Sequence, residues 1–212
     1  MDSQRGFDRV VNLSDAVVAI AATLLVLPLV DIASSVGDES LPDLLAENAD
    51  QLLAFALSFA VICRFWLLHH ALFTRLVGFT TPMLWVNFAW LLSIAFLPFP
   101  TALVSFAGGT DAAVSGLYIG TMLVTTAAGT AQQWLASRSP RLLAPGVDAL
   151  RLRASLIATA TMALMLLIAV IVPPIGLWAL LLLVPSGLLE GWLSRRDKRP
   201  GASHGRGHSP IS

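Results

Sequence analysis

Long apolar runs separated by short polar stretches make up most of the chain. A membrane-crossing helix needs about 20 mostly apolar residues. Six runs qualify: Leu13 to Val30, Leu52 to Phe73, Met83 to Val104, Ala113 to Leu135, Leu156 to Val172 and Ile175 to Trp192. None alternates like a barrel strand, and an all-apolar run in lipid must satisfy its backbone internally, so each is predicted to be a helix. Only VPPIG (172–176) separates the last two, which predicts a tight helical hairpin. The expected fold is an all-α integral membrane protein, with one six-helix transmembrane domain over residues 1–194. The polar tail 195–212, rich in Gly, Ser and Pro, is expected to be disordered.

The polar positions set an orientation. All 13 Lys and Arg lie at the start, between the second and third runs, between the fourth and fifth, near the end, or, for Arg64, inside the second run. The stretch DIASSVGDESLPDLLAENAD carries Asp31, Asp38, Glu39, Asp43, Glu47 and Asp50 with no Lys or Arg, and the next outer loop holds Asp111 alone. The positive-inside rule then places both termini in the cytoplasm of a multi-pass protein of the cell membrane. Within the first outer loop, LPDLLAENADQLL has helical spacing and is expected to start the second helix early, with Pro42 in its first turn.

Composition removes the soluble classes. Of 212 residues, 56% are hydrophobic and 12% charged, and the mean hydropathy is +0.77; soluble domains carry about 25% charged residues. Met1 to Asp8 has no short apolar region with a cleavage site, so no cleaved signal peptide is expected. Net charge is +0, and the basic start of the tail reads as inner-face charge or anionic-lipid contact, with no nucleic-acid partner. A single Cys63 excludes an intrachain disulfide framework and reads as a small buried hydrophobe.

The first run presents a stripe. At about 100° per residue, setting Ile20 at zero puts Leu24 at about +40° and Leu27 at about −20°. Arg9, Leu13, Ala16 and Asp31 fall on or near the same line, with Thr23 at its edge. Pro28 leaves the Leu24 carbonyl without its usual donor and is expected to bend the helix. Ser14 and Asp15 lie off the stripe, Asp15 by about 140°. An Asp at mid-membrane costs roughly 2.5–3.5 kcal/mol, less near the interface, so it calls for a partner. Arg64, His69, His70 and Asn87 are the candidates; the alternative is a helix-entry cap. Branched aliphatics three and four apart face lipid or other helices in most membrane helices, so periodicity alone does not assign the stripe.

Other polar and small residues read more blandly. His69 and His70 titrate near neutrality but are read as interfacial packing. Adjacent histidines on a helix point apart, and no metal or other cofactor is expected. Gly116, Gly120, Ala127, Ala128, Gly129 and Ala131 suggest close helix packing on the fourth run. Trp85, Trp90, Trp134, Trp178 and Trp192 read as interfacial anchors.

Arg9-x-x-x-Leu13-Ser14-Asp15 resembles the R-x-x-x-F-S-D signature that opens the first helix in the transmembrane protein 175 family of potassium channels. The continuation AVVAIAATLLVLPL is similar to that family's pore helix. FWLLHHALF (65–73) resembles the Trp and His cluster closing its second helix, and LWVNFAWLLSIAFLPFPT (84–101) its third, with Asn87 and the Pro-Phe-Pro exit. The family's Phe is Leu13 here, which keeps an apolar plug but loses the ring. The last three runs match only in length and hydrophobicity.

The resemblance implies a homotetramer without a re-entrant filter loop, its first helices lining a central pore. It implies a constriction of aliphatic side chains at Ile20, Leu24 and Leu27, the stripe found by geometry. It also implies that Arg9, Leu13, Ser14 and Asp15 brace the first helix, with Trp66, His69, His70 and Asn87 as candidate partners. An aliphatic ring has no oxygen ligands; it blocks by dewetting and passes ions when wide enough to keep water. The expected function is a potassium-permeable cation channel, gated and filtered at this constriction and discriminating among monovalent cations less sharply than a carbonyl cage. Asp31 is expected at the outer mouth, where it would concentrate cations; a solvated helix end is the alternative. A small secondary transporter or proton-coupled carrier is the main competing class, and it would show mid-membrane charge and broken helices. A membrane scaffold also fits. An enzyme does not, since no convergent catalytic set is present.

Overall fold

The computed structural model describes residues 2–34, 40–107, 111–146 and 152–171. Among them eight α-helices run in order: α1 (Asp2–Leu24), α2 (Leu27–Ser34), α3 (Leu41–Glu47), α4 (Ala49–Phe73), α5 (Thr81–Phe96), α6 (Pro98–Ala107), α7 (Ala112–Ser137) and α8 (Leu152–Ile171). Among the described residues, five stretches are long and apolar enough to cross a membrane: Gln4–Ser34, Ala49–Phe73, Thr81–Phe106, Ala112–Ser137 and Leu152–Ala169. The run Ile175 to Trp192, its VPPIG turn, Trp178 and the tail lie outside the described residues.

Two spans are built from two helices each, and proline is the cause in both. Pro28 has no N–H to offer the Leu24 carbonyl. The chain tightens there: Val26 N–H donates to Thr23 O at 3.2 Å, and helix resumes with Val30 N–H to Val26 O at 3.1 Å. The expected bend is thus an interruption between α1 and α2. Pro98 and Pro100 do the same to the third span, where Leu97 N–H turns to Ile94 O at 3.2 Å.

Two helix starts differ from the sequence reading. The first helix begins at Asp2, well before Leu13. Hydropathy does not register this polar extension, but Phe7 stacks on Phe73 at 6.0 Å and Phe79 at 6.3 Å, and joins a core with Leu72, Leu76, Met83 and Ala136. The outer-loop segment, by contrast, is not an early start of the second span. It is a separate helix, α3, with Pro42 in its first turn. Asn48 interrupts it at φ −104°, ψ 22°, and its side chain donates to Leu44 O at 2.9 Å.

Hydroxyl groups join the spans. Thr130 meets Ser155 at 3.0 Å and Thr159 at 2.8 Å, tying α7 to α8. Thr125 donates to Ser93 at 2.9 Å, tying α7 to α5. Ser58 sits between Tyr118 and Thr101, each at 3.0 Å, linking α4, α7 and α6. Such side-chain bonds hold helices together where lipid supplies no hydrophobic drive. Among the described residues, a Cβ at Gly120 or Gly129 would meet nothing within 4 Å, so these two glycines make no close approach there. At the Phe7 end, Val77 N–H donates to Leu142 O at 2.9 Å and Ala144 N–H to Arg75 O at 2.8 Å, pairing the loop after α4 with the segment after α7.

Candidate functional site

Helix α1 has two faces of opposite character. Phe7, Ser14, Val18, Ala21 and Leu25 are buried against the rest of the chain, Leu25 to 2% exposure. On the other side Ile20 is 58% exposed, Leu24 41%, Leu27 54% and Leu13 46%. Arg9, Ala16, Thr23 and Asp31 are exposed too. The stripe read from the helical wheel therefore has no cover among the described residues of its own chain. Thr23 commits its hydroxyl to Ile20 O at 2.8 Å. The α1–α2 interruption falls within the stripe, between Leu24 and Leu27.

The buried face meets a polar cluster. Trp66 Nε1–H donates to Asp15 Oδ1 at 2.8 Å. Ser14 Oγ–H donates to Val10 O at 2.9 Å, so the same oxygen is free to accept. Asn87 Nδ2–H donates to it at 3.1 Å. That fixes the other end of the Asn87 amide as an acceptor, Oδ1, which takes Gln132 Nε2–H at 2.9 Å and His69 Nε2 at 2.8 Å. His69 therefore carries its proton on Nε2. Its ring lies between Phe73, 4.2 Å away, and Trp90, 4.1 Å away. His70 is exposed and stacks on Trp66 at 5.2 Å. Gln132 Oε1 is buried with no hydrogen-bond partner among the described residues.

Ser14 and Asp15 are thus mid-helix residues bonded to other spans, not caps of a helix entry. Of the sequence candidates, the structure brings together Ser14, Asp15, Trp66, His69, His70 and Asn87. Arg9 and Leu13 lie apart on the exposed side of α1, and Asp31 is exposed on α2. His69 is a buried member of the cluster at 5% exposure, where interfacial packing was expected. Trp90, read as an interfacial anchor, is 2% exposed and serves as a stacking wall for His69, whereas Trp85 is 68% exposed and Trp134 41%. Gln132 was not singled out from the sequence. The available signal was a pair of glutamines, Gln132 and Gln133, inside an otherwise apolar run.

Fold and site define a polytopic helical membrane protein whose first helix is bonded to its neighbours behind and, among the described residues, bare in front. The family model described as "Endosomal/lysosomal potassium channel TMEM175" matches residues 9–98. A potassium channel of Streptomyces collinus is 31% identical over 150 residues, covering 69% of this chain and 72% of the relative. The chain belongs to the TMEM175 family. A potassium channel of Chamaesiphon minutus is 38% identical over 101 residues, 46% of this chain and 48% of the relative. In fold, the chain matches the crystal structure of a lysosomal potassium-selective channel TMEM175 homolog from Chamaesiphon minutus with TM-score 0.72 and 23% identity, over 88% of this chain and 98% of that one. A variant of the potassium channel MtTMEM175, crystallised with a nanobody–MBP fusion, matches with TM-score 0.58 and 21% identity, over 89% and 93% of the two chains.

Proposed function

We propose that the chain is the subunit of a homotetrameric, potassium-permeable cation channel of the cell membrane, with both termini cytoplasmic and α1 lining the pore. Ile20, Leu24 and Leu27 form the constriction, Thr23 its edge and Asp31 the outer mouth. Arg9, Leu13, Ser14 and Asp15 belong to the bracing motif, with Trp66, His69, His70 and Asn87 as its partners behind the helix. Lipid and permeant monovalent cations, potassium first, are the other partners. The observation that carries this reading is the division of α1 into an uncovered aliphatic stripe and a face bonded to the second and third spans. Family membership supports it. Four such stripes around an axis make a narrow apolar neck, which closes by drying and conducts when it widens enough to keep an ion's water.

A carrier is the second reading. The proline interruptions at Leu25–Val26 and Leu97 favour it, since discontinuous helices are common in carriers. Against it stands the lack of a charged cluster beside either break among the described residues.

The test is potassium flux into proteoliposomes of the purified protein, with sodium in parallel. Gradient-driven flux, potassium ahead of sodium, rising several-fold with a smaller potassium preference in Leu24→Ala, is the expected result. Flux that Leu24→Ala leaves untouched, or flux that saturates and needs a coupling ion, would favour the carrier.

A further inference from the structure

The bracing residues on the first three spans are joined by one from a span with no part in the sequence motif. Gln132 on α7 is 0% exposed. Its Nε2–H reaches Asn87 Oδ1 at 2.9 Å. We propose that Gln132 is a positioning residue of the pore helix: it holds the Asn87 side chain from the fourth span, and Asn87 in turn holds Ser14 on α1. The inference rests on the channel reading given above.

The chain of contacts has a direction. Asn87 Oδ1 receives two donors, Gln132 and His69, while Nδ2 is aimed at Ser14. Turning all the amides round would make Ser14 the donor to Asn87 and would cost its bond to Val10 O. The observed direction therefore keeps one bond more. His69 cannot replace Gln132 as the anchor. It sits on α4, the span that already touches α1 through Trp66, whereas Gln132 ties the Asn87 side chain to a helix outside that pair. Gln132 Oε1, buried, has no partner among the described residues, so this side chain bonds through Nε2 to Asn87.

The effect on function follows from the neck itself. Aliphatic side chains in water collapse together when nothing holds their helices apart. Loosening the brace therefore favours the closed, dry state, and flux falls.

The experiment is potassium flux in proteoliposomes for the native protein, Gln132→Met, Ser14→Ala, the double variant and Gln132→Glu. Gln132→Met keeps length and apolar bulk without the donor. Its flux is expected to fall about fivefold, the equilibrium equivalent of one ordinary hydrogen bond. Ser14→Ala falls comparably, and the double variant falls no further than the lower single variant, since both act on one path. A purely structural role would make the losses multiply.

Gln132→Glu keeps the shape and covers the case in which Gln132→Met does not assemble. Protonated, its carboxyl donates to Asn87; ionised, it only accepts. Its flux, as a ratio to native at each pH, is expected near native in acid and falling toward alkaline pH. The ratio to native removes any pH dependence that belongs to the rest of the channel; the other ionisable side chains of the cluster are Asp15, His69 and His70. Helices α5 and α6 carry no titratable side chain; Arg64 on α4 is half-buried, and Arg5, Asp8, Arg9, Arg138, Arg141 and Arg153 are exposed.

Native flux in Gln132→Met, multiplying losses, or a Gln132→Glu ratio flat across the pH range overturns the inference. Leu24→Ala in the same liposomes separates the two claims. If it alters flux while Gln132 does nothing, the inference alone fails; if it does nothing either, the channel reading fails with it.

Discussion

Asn87 on the third span donates to the hydroxyl of Ser14 on the first, 3.1 Å away and 73 residues distant in sequence. Asn87 is 1% exposed and Ser14 1%. Removing the amide strands the donors on Gln132 and His69 in an apolar interior. Asn87→Leu should therefore cost on the order of 1–3 kcal/mol for each stranded group. Thermal unfolding in detergent reads this as a clear drop in midpoint; a midpoint equal to native would mean that the cluster carries no stability.

Asp15 depends on Trp66 through one bond of 2.8 Å. Trp66→Phe keeps an aromatic ring beside His70 and removes the N–H together with part of the indole. Hydrogen bonds to charged groups contribute about 1.5–3 kcal/mol, and the value here should sit at the low end because Asp15 is only half-buried. We expect a lower unfolding midpoint and lower flux. The double variant Trp66→Phe with Asp15→Ala, which removes the acceptor, should be little worse than the lower single variant, which a double-mutant cycle checks.

The outer mouth can be tested with salt. Debye screening extends about 30 Å at 0.01 M and about 3 Å at 1 M. Asp31→Asn should lower potassium flux severalfold at the low concentration and leave it unchanged at the high one. Equal flux at both would make Asp31 a solvated helix end.

Pro28 sets where α1 stops. Pro28→Ala returns an N–H to the Leu24 carbonyl, worth about 1 kcal/mol of helix stability. The unfolding midpoint should rise. The potassium-to-sodium flux ratio should also shift, because joining α1 to α2 moves Leu27 relative to Ile20 and Leu24. A ratio identical to native would take Leu27 out of the constriction.

How far these features were legible depended on the physics behind each. The stripe Ile20, Leu24, Leu27 was readable because a helical wheel needs only the period, and the exposed face follows it. Proline breaks were readable at Pro28 because the missing donor is local. The Asp2 start was not, since Phe7 earns its place in a helix through Phe73 and Phe79, residues brought near only by folding. Asn48 escaped for a similar reason: a single side chain bonding to Leu44 O ends α3, and spacing alone favoured continuity. Trp90 looked like any tryptophan near a span end, and only the position of His69 makes it a buried wall. Gln132 was visible as a polar residue in an apolar run, but its partner lies on another span.

The exposed stripe of α1 also bears on how the proposed tetramer would form. Lipid tails are as apolar as leucine, so Ile20, Leu24 and Leu27 gain nothing by leaving them. On the tetramer reading, the stripe alone would not drive lone subunits together in the bilayer. Association of the proposed tetramer would then rest on packing and polar contacts and obey mass action in two dimensions. Diluting the protein with lipid should lower activity per subunit more than proportionally, so that the density of subunits in the membrane becomes a control on current.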